Sequence, residues 1–222
     1  MVPENLKSIR QRIARCCERV GRYPEDVALV CVTKEASVDQ IEEALGLGVS
    51  VIAENRIQDA LVKYKTIGDR ATWHLVGHLQ TNKVRDAVRM FSLIHSLDSI
   101  HLSDAINKEA AKIKKIQDVL VQVNVSGEKT KFGVSANDAL DFLNKLSLYG
   151  NINVKGLMTI APEVDDTQEV RPYFRALREL KDKVNSILNT QYSILSMGMT
   201  NDFEVAIEEG STMVRIGRAI FG

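Results

Sequence analysis

The 222-residue chain has little to cross-link it and nothing long and apolar enough to cross a bilayer. Its three cysteines, Cys16, Cys17 and Cys31, are odd in number and show neither zinc-ligand spacing nor a C-x-x-C pair. That pattern argues against a disulfide framework and fits a reducing cytoplasm. No apolar run approaches the ~20 residues of a membrane span, and the opening "MVPENLKSIRQRIARCCERV" is an amphipathic helix rather than a signal sequence. Net charge is lacking too. With 29 Lys plus Arg against 29 Asp plus Glu, no bulk field draws the chain to nucleic acid or to an anionic membrane. Clusters such as "KEAAKIKKIQD" at 108–118 read as a solvated helix face. The absence of a Walker loop, of a G-x-S-x-G elbow and of G-x-G-x-x-G after the first strand weakens the nucleotide-binding and serine-hydrolase classes.

What is present is an alternation of two kinds of segment. Short β-rich runs lie at 26–33 "DVALVCVT", 49–53 "VSVIA", 72–77 "TWHLVG", 92–97 "SLIHSL", 119–125 "VLVQVNV", 153–160 "NVKGLMTI", 192–197 "YSILSM" and 212–216 "TMVRI". Helical patterns separate them at 38–47, 57–67, 82–90, 100–115, 135–149, 166–189 and 201–209. Parallel neighbours need crossovers, so this order predicts a parallel sheet. Eight strands permit closure into a single (β/α)8 TIM-type barrel, with an extra N-terminal helix and one domain over 1–222. An open doubly wound sheet is the alternative.

In such a barrel the chemistry sits at the carboxyl ends of the strands. The first strand runs into Lys34 in "VCVTKEAS", the second into Glu54 and Asn55, the third into His78 in "GHLQTNK", and the fifth into "NVSGEKTKFG". An amine attacks a carbonyl only when neutral. Partial desolvation at a strand tip, or a neighbouring cation such as Arg215 on the eighth strand, would favour the neutral form. A lysine snorkelling into water is the competing reading.

The segment "SMGMTND" turns into a helix, with Thr200 or Asn201 at its N-cap and unpaired N–H groups nearby. Gly217 in "RIGR" would let an anion approach the main chain, and Asp202 and Glu204 are expected to point outward. Phosphate between the loops after the last two strands is a recurrent arrangement; a plain helix cap at Thr200 and a plain turn at Gly217 are the competing reading. An amine and a phosphate cradle at one mouth suit an aldehyde-bearing phosphorylated ligand, and pyridoxal 5′-phosphate (PLP) has both groups. His74 and His78, four apart on a strand, lie too far apart for one metal, about 13 Å at strand rise. His95 and His101 have no evident partner, so packing or solvent exposure is expected for both.

The pieces "VTKEAS", "AENRIQDALVKY", "WHLVGHLQTNKV", "VNVSGEKTKFG", "GLMTIAP" and "LSMGMTNDFEVAIEEGSTMVRIGRAIFG" resemble the pyridoxal phosphate homeostasis proteins, known as YggS or PROSC proteins. The resemblance covers nearly the whole chain. It implies the fold type III PLP-binding barrel of alanine racemase without that enzyme's second domain. It further implies a cofactor aldimine on Lys34, Thr200 and the N–H groups of Gly217 and Arg218 around the phosphate, Arg215 facing the pyridine nitrogen, and Asn55 near the ring. His78 is expected to line the same mouth. Thr200 stands where the family usually has Ser, and Arg218 where a small hydroxyl residue is common.

An arginine at the ring nitrogen donates a hydrogen bond without giving up its proton, so the ring is a weak electron sink. Racemization needs a base on each face of the substrate, and in the racemases the second base is a tyrosine from the other domain. None of Tyr23, Tyr64, Tyr149, Tyr173 and Tyr192 falls at a strand's carboxyl end. The expected role is therefore a carrier in vitamin B6 homeostasis and amino-acid balance, not an enzyme. It would act as a monomer or weak dimer, with PLP-dependent apo-enzymes as candidate recipients. A slow or specialised amino-acid racemase is the alternative, and a Schiff-base aldolase is the reading that ignores the resemblance.

Overall fold

The predicted strands contain apolar residues at nearly every position, the composition of strands buried on both faces. All eight form in a computed structural model that describes residues 1–128 and 130–222; Lys129, in the segment quoted after the fifth strand, lies outside the described residues. The strands are β1 (Ala28–Val32), β2 (Val51–Glu54), β3 (Thr72–Leu75), β4 (Leu93–Leu97), β5 (Gln117–Asn124), β7 (Ile152–Met158), β8 (Ile194–Ser196) and β9 (Met213–Ile216). A two-residue strand, β6 (Val134–Ser135), adds to β5 outside the ring. Every pairing is parallel. The ladders run β1-β2-β3-β4-β5-β7-β8-β9, and β9 returns to β1 with Val30 opposite Arg215. An open doubly wound sheet would leave two edges, and the pairing of β9 with β1 removes them.

The helices are α1 (Val2–Arg19), α2 (Val38–Gly46), α3 (Ile57–Ile67), α4 (Val84–Met90), α5 (Ile100–Lys112), α6 (Ala139–Leu146), α7 (Arg171–Leu188), α8 (Phe203–Glu208) and α9 (Arg218–Phe221). Two predicted helices begin too early. Helix α6 starts at Ala139 because Val134–Ser135 pair with β5, and α7 starts at Arg171 after a 3-10 turn over Thr167–Val170. The four-residue α9 is not apparent in the sequence pattern.

Side chains alternate between two cores along each strand. Cys31, Ile52, Trp73, Ile94, Val119, Leu157, Leu195 and Val214 face the helices. Val30, Ala53, Leu93, Leu120, Met158 and Met213 fill the barrel. The N-terminal helix buries Val2, Leu6, Ile9, Ile13, Cys16 and Cys17 along one face. That face packs on α2, α8 and α9. Asn5 Nδ2 donates to the Ile220 carbonyl (3.1 Å), Cys16 Sγ approaches the Glu204 carbonyl (3.2 Å), and the Arg12 guanidinium lies 4.5 Å from the Phe203 ring centre. Helix α1 thus braces the two helices that follow the last two strands, and its cysteines serve as small apolar residues.

A buried ion pair fixes the end of β1. Glu54, wholly buried at the end of β2, accepts from Thr33 Oγ1 (2.7 Å) and from Lys63 Nζ of α3 (2.7 Å). The same ammonium donates to the Thr33 carbonyl, immediately before Lys34. Lys63→Met leaves a buried carboxylate without its cation and is expected to cost about 3–5 kcal/mol, read as a lower urea midpoint. The double variant Lys63→Met/Glu54→Gln should recover part of that loss.

Candidate functional site

The loops after β1, β8 and β9 meet over a cavity of about 440 Å³, and Lys34, Asn55, Thr200, Arg215, Gly217 and Arg218 all contribute to its wall. Lys34 lies in a tight turn just beyond β1, closed by Ala36 N–H donating to the Thr33 carbonyl (2.9 Å). A capping box then starts α2: Ser37 Oγ accepts from Gln40 N–H (3.2 Å) and Gln40 Oε1 accepts from Ser37 N–H (3.0 Å). The Lys34 side chain is 44% exposed, with Nζ 3.2 Å from Glu35 Oε1. The dry strand tip expected from the sequence is therefore only half realised, because β1 ends at Val32 and the lysine sits in the loop beyond it.

The loop after β8 is tied to β9 through its main chain. Met197 N–H donates to the Met213 carbonyl (3.1 Å) and Arg215 N–H to the Gly198 carbonyl (3.0 Å). Gly198 has φ +94°, and a Cβ there would lie 2.6 Å from Ala206 Cβ, so only glycine lets the loop turn against α8. Thr200 and Asn201 follow at the cavity wall. Among the described residues, neither their N–H groups nor the Thr200 hydroxyl meets an acceptor.

Two expectations for this segment need correction. The N-cap of α8 is Asp202, not Thr200 or Asn201. Asp202 is also not outward. It is buried, and Oδ1 accepts from Met199 N–H (2.6 Å), closing the turn on which Thr200 sits. Burial pushes its carboxyl up, opposed by the Met199 N–H and the Arg215 guanidinium. Glu204 does point away, pairing with Arg12 (3.1 Å). Gly217 has a steric reason beyond the one foreseen: a Cβ would come within 3.0 Å of the Val32 carbonyl oxygen. Its smallness lets the end of β9 lie against the end of β1.

Arg215 projects into the barrel and is 4% exposed. Nη1 donates to Ser196 Oγ (2.8 Å) and Nη2 to the Thr159 carbonyl (2.9 Å). Burial pulls it down to about 10, with Asp202 opposing, so it stays protonated at neutral pH. Four cations, Lys34, Lys131, Arg215 and Arg218, face two carboxylates, Glu163 and Asp202, around the cavity. The excess of positive charge suits an anion. Lys131 and Glu163 were not singled out from the sequence; Lys131 lies within "NVSGEKTKFG", whose polar character at a strand end was the available signal.

His78 is not in this wall. It lines an adjoining cleft of about 610 Å³ that shares Asn55. Its ring stacks 3.9 Å from Phe132, with Nδ1 3.5 Å from Asp98 Oδ2. His74 faces the barrel interior, so the two residues do not share an environment. His95, given no partner from the sequence, is wholly buried between His74 (Nε2 to Nδ1, 3.1 Å) and Ser196 (Nδ1 to Oγ, 3.0 Å).

The alanine racemase N-terminal domain family model matches residues 5–222. The pyridoxal phosphate homeostasis protein of Aquifex aeolicus is 44% identical over 220 residues, which are 99% of this chain and 96% of that one. The chain belongs to the pyridoxal phosphate homeostasis protein family. PipY of Synechococcus elongatus, whose structure has PLP bound, superposes with a TM-score of 0.88 at 31% identity, over the full length of both chains. Alanine racemase of Clostridium difficile shares the fold, with a TM-score of 0.76 at 17% identity; the match covers all of this chain and 56% of the enzyme.

In this member of the family the two interior histidines make stability depend on pH. Burial holds His74 down to about 4, and burial, aided by His74 and Arg215, holds His95 well below its ordinary value. The unfolded chain therefore takes up protons first as pH falls below about 6.5. Stability is fully present above that value and is lost progressively toward pH 4. Urea unfolding is expected to show a loss of about 1 kcal/mol per buried histidine between about pH 7 and about pH 5.5. A flat profile over that range would contradict neutral burial.

Proposed function

We propose that this chain holds PLP in the cavity as a reversible carrier, in the service of vitamin B6 homeostasis. One observation carries the reading: the Lys34 amine and the donors of the 200–201 turn, unpartnered among the described residues, open into the same cavity, with the Arg215 guanidinium in its wall. The residues fit the group. Lys34 would hold the aldehyde end, and the Thr200 hydroxyl with the N–H groups of Gly217 and Arg218 would hold the phosphate. Arg218 adds a cation at that end. Arg215 would donate to the ring nitrogen, and Asn55 would lie beside the ring. When bound, the cofactor supplies an aldehyde that condenses reversibly with amines.

What the chain's own groups do supports carriage over turnover. Arg215 keeps its proton at neutral pH, so it can orient the ring but is a poor proton donor to it. None of the five tyrosines lines the cavity, so the wall offers no phenol opposite Lys34 to act as a second base. The half-exposed Lys34 leaves its end of the cavity open, so an incoming amine could reach a group held there, as release to PLP-dependent apo-enzymes would require.

The purified protein loaded with PLP is expected to be yellow, and Lys34→Ala to abolish the visible band. Borohydride reduction followed by peptide mass spectrometry should place the pyridoxyl group on the Lys34 peptide. Label confined to other lysines would overturn the assignment. Thr200→Ala should weaken PLP binding about tenfold by fluorescence titration, the size of one hydrogen bond to a charged group. Incubation with L-amino acids in deuterated water separates carrier from racemase: solvent deuterium at Cα with loss of chirality would establish catalysis.

A further inference from the structure

The barrel interior holds a polar chain that runs from Arg215 away from the cavity, through three residues that the proposed cofactor contacts do not use. Arg215, Ser196, His95 and His74 come from β9, β8, β4 and β3, and none is more than 6% exposed. They are linked in series: Arg215 Nη1 to Ser196 Oγ (2.8 Å), Ser196 Oγ to His95 Nδ1 (3.0 Å), and His95 Nε2 to His74 Nδ1 (3.1 Å). Beneath and around them lie Val30, Ala53, Leu93, Leu120, Met158 and Met213, which offer nothing polar from their side chains. Four polar groups in such surroundings persist only if each is paired.

The direction of the chain follows from counting protons. The guanidinium can only donate, so Ser196 Oγ accepts from Nη1. The hydroxyl still has one proton, and among the described residues its only other partner is His95 Nδ1. If Nδ1 carried a proton instead, the Ser196 hydroxyl would be a buried donor with no acceptor. Hence Ser196 donates to His95 Nδ1, the His95 proton resides on Nε2, and that N–H donates to His74 Nδ1. Both rings are neutral Nε2–H tautomers, consistent with their depressed basicity. Donation runs one way, from the guanidinium at the cavity to His74 across the barrel.

We propose that His95, backed by His74 and acting through Ser196, is a positioning residue that fixes the Arg215 guanidinium toward the cavity and thereby gives the site a preference for a ring nitrogen. The proposal rests on the PLP reading above and adds a selectivity that this reading does not require. Nη2 is held by the Thr159 carbonyl, so Ser196 supplies the second fixed point of the guanidinium. Two fixed points set the plane of the group, whereas one would leave it free to swing about that bond.

Two measurements test it on the intact protein. In the ligand-free chain, ¹⁵N spectra of labelled histidine at pH 7 should show His74 and His95 neutral with the proton on Nε2, and Ser196→Ala should perturb His95. A proton on His95 Nδ1 in the unaltered protein overturns the relay. The second measurement compares binding of PLP with that of its 1-deaza analogue, which keeps aldehyde and phosphate but has carbon in place of the ring nitrogen. The unaltered protein should favour PLP about tenfold, one hydrogen bond to a charged donor. Ser196→Ala and His95→Phe should bring that ratio close to one while binding the deaza analogue as before. His95→Asn, which keeps an acceptor near the Nδ1 position, should restore part of the preference. Retention of the full ratio in Ser196→Ala and His95→Phe overturns the proposal while leaving the PLP reading standing. Failure of the unaltered protein to bind either compound overturns the PLP reading, and the ring preference with it.

Discussion

The parallel pairing of β9 with both β8 and β1 is the constraint on which the mouth of the barrel depends. Strand β9 is four residues long, yet Arg215 alone is engaged on three sides. Its amide donates to the Gly198 carbonyl, its register places it opposite Val30, and its side chain enters the barrel to reach Ser196 and Thr159. Two residues on, Gly217 lies against the Val32 carbonyl. The distance between the lysine loop and the turn at Thr200 is therefore set by main-chain ladders and one close glycine contact. The lysine loop comes from near one end of the chain and the other two segments from near its opposite end, so the site forms only when the sheet closes.

Closure brings charges inside, and each is balanced locally. Glu54 has Lys63 and Thr33, and the Arg215 guanidinium has a serine, a carbonyl and the nearby Asp202. Glu209, at the end of α8, is 3% exposed and meets Arg171, Arg175 and Arg178 of α7. Burial alone would push the Glu209 carboxyl up, but the arginines outweigh it and hold the carboxyl below its usual range. These pairs contribute less as net attraction than as register, since desolvation consumes most of the Coulomb gain. Their common effect is to leave the backbone before Lys34, the turn at Thr200 and the end of α8 with one arrangement each.

Much of this was legible in the sequence, for identifiable reasons. Strands buried on both faces give unbroken apolar runs, so all eight barrel strands stood out, and the pattern at 57–67 matches α3 residue for residue. Lys34, Thr200 and Gly217 were visible as polar or glycine residues interrupting such runs at their carboxyl ends. What stayed hidden depends on contacts between distant strands. Asp202 looked like surface because an acidic residue at a helix start normally is; its burial follows from accepting the Met199 amide within a turn packed against β9. His78 looked like part of the mouth because it follows β3, but its ring is drawn aside by Phe132 and Asp98. His95 looked unpartnered because its partners lie 21 and 101 residues away along the chain.

The two ends of the cavity differ in a way that bears on carriage. Toward the barrel, Arg215 is buried, doubly anchored and protonated at neutral pH, so its arrangement is fixed before any ligand arrives. Toward solvent, Lys34 is half exposed and, among the described residues, paired only with the neighbouring, exposed Glu35, a contact worth at most about 1 kcal/mol. A rigid inner end selects and orients a ligand at little cost in ordering its own groups. A loose outer end lets a second amine approach the same carbon that Lys34 would hold. In the proposed role, the open lysine end admits an incoming amine, as exchange of a reversibly held aldehyde requires.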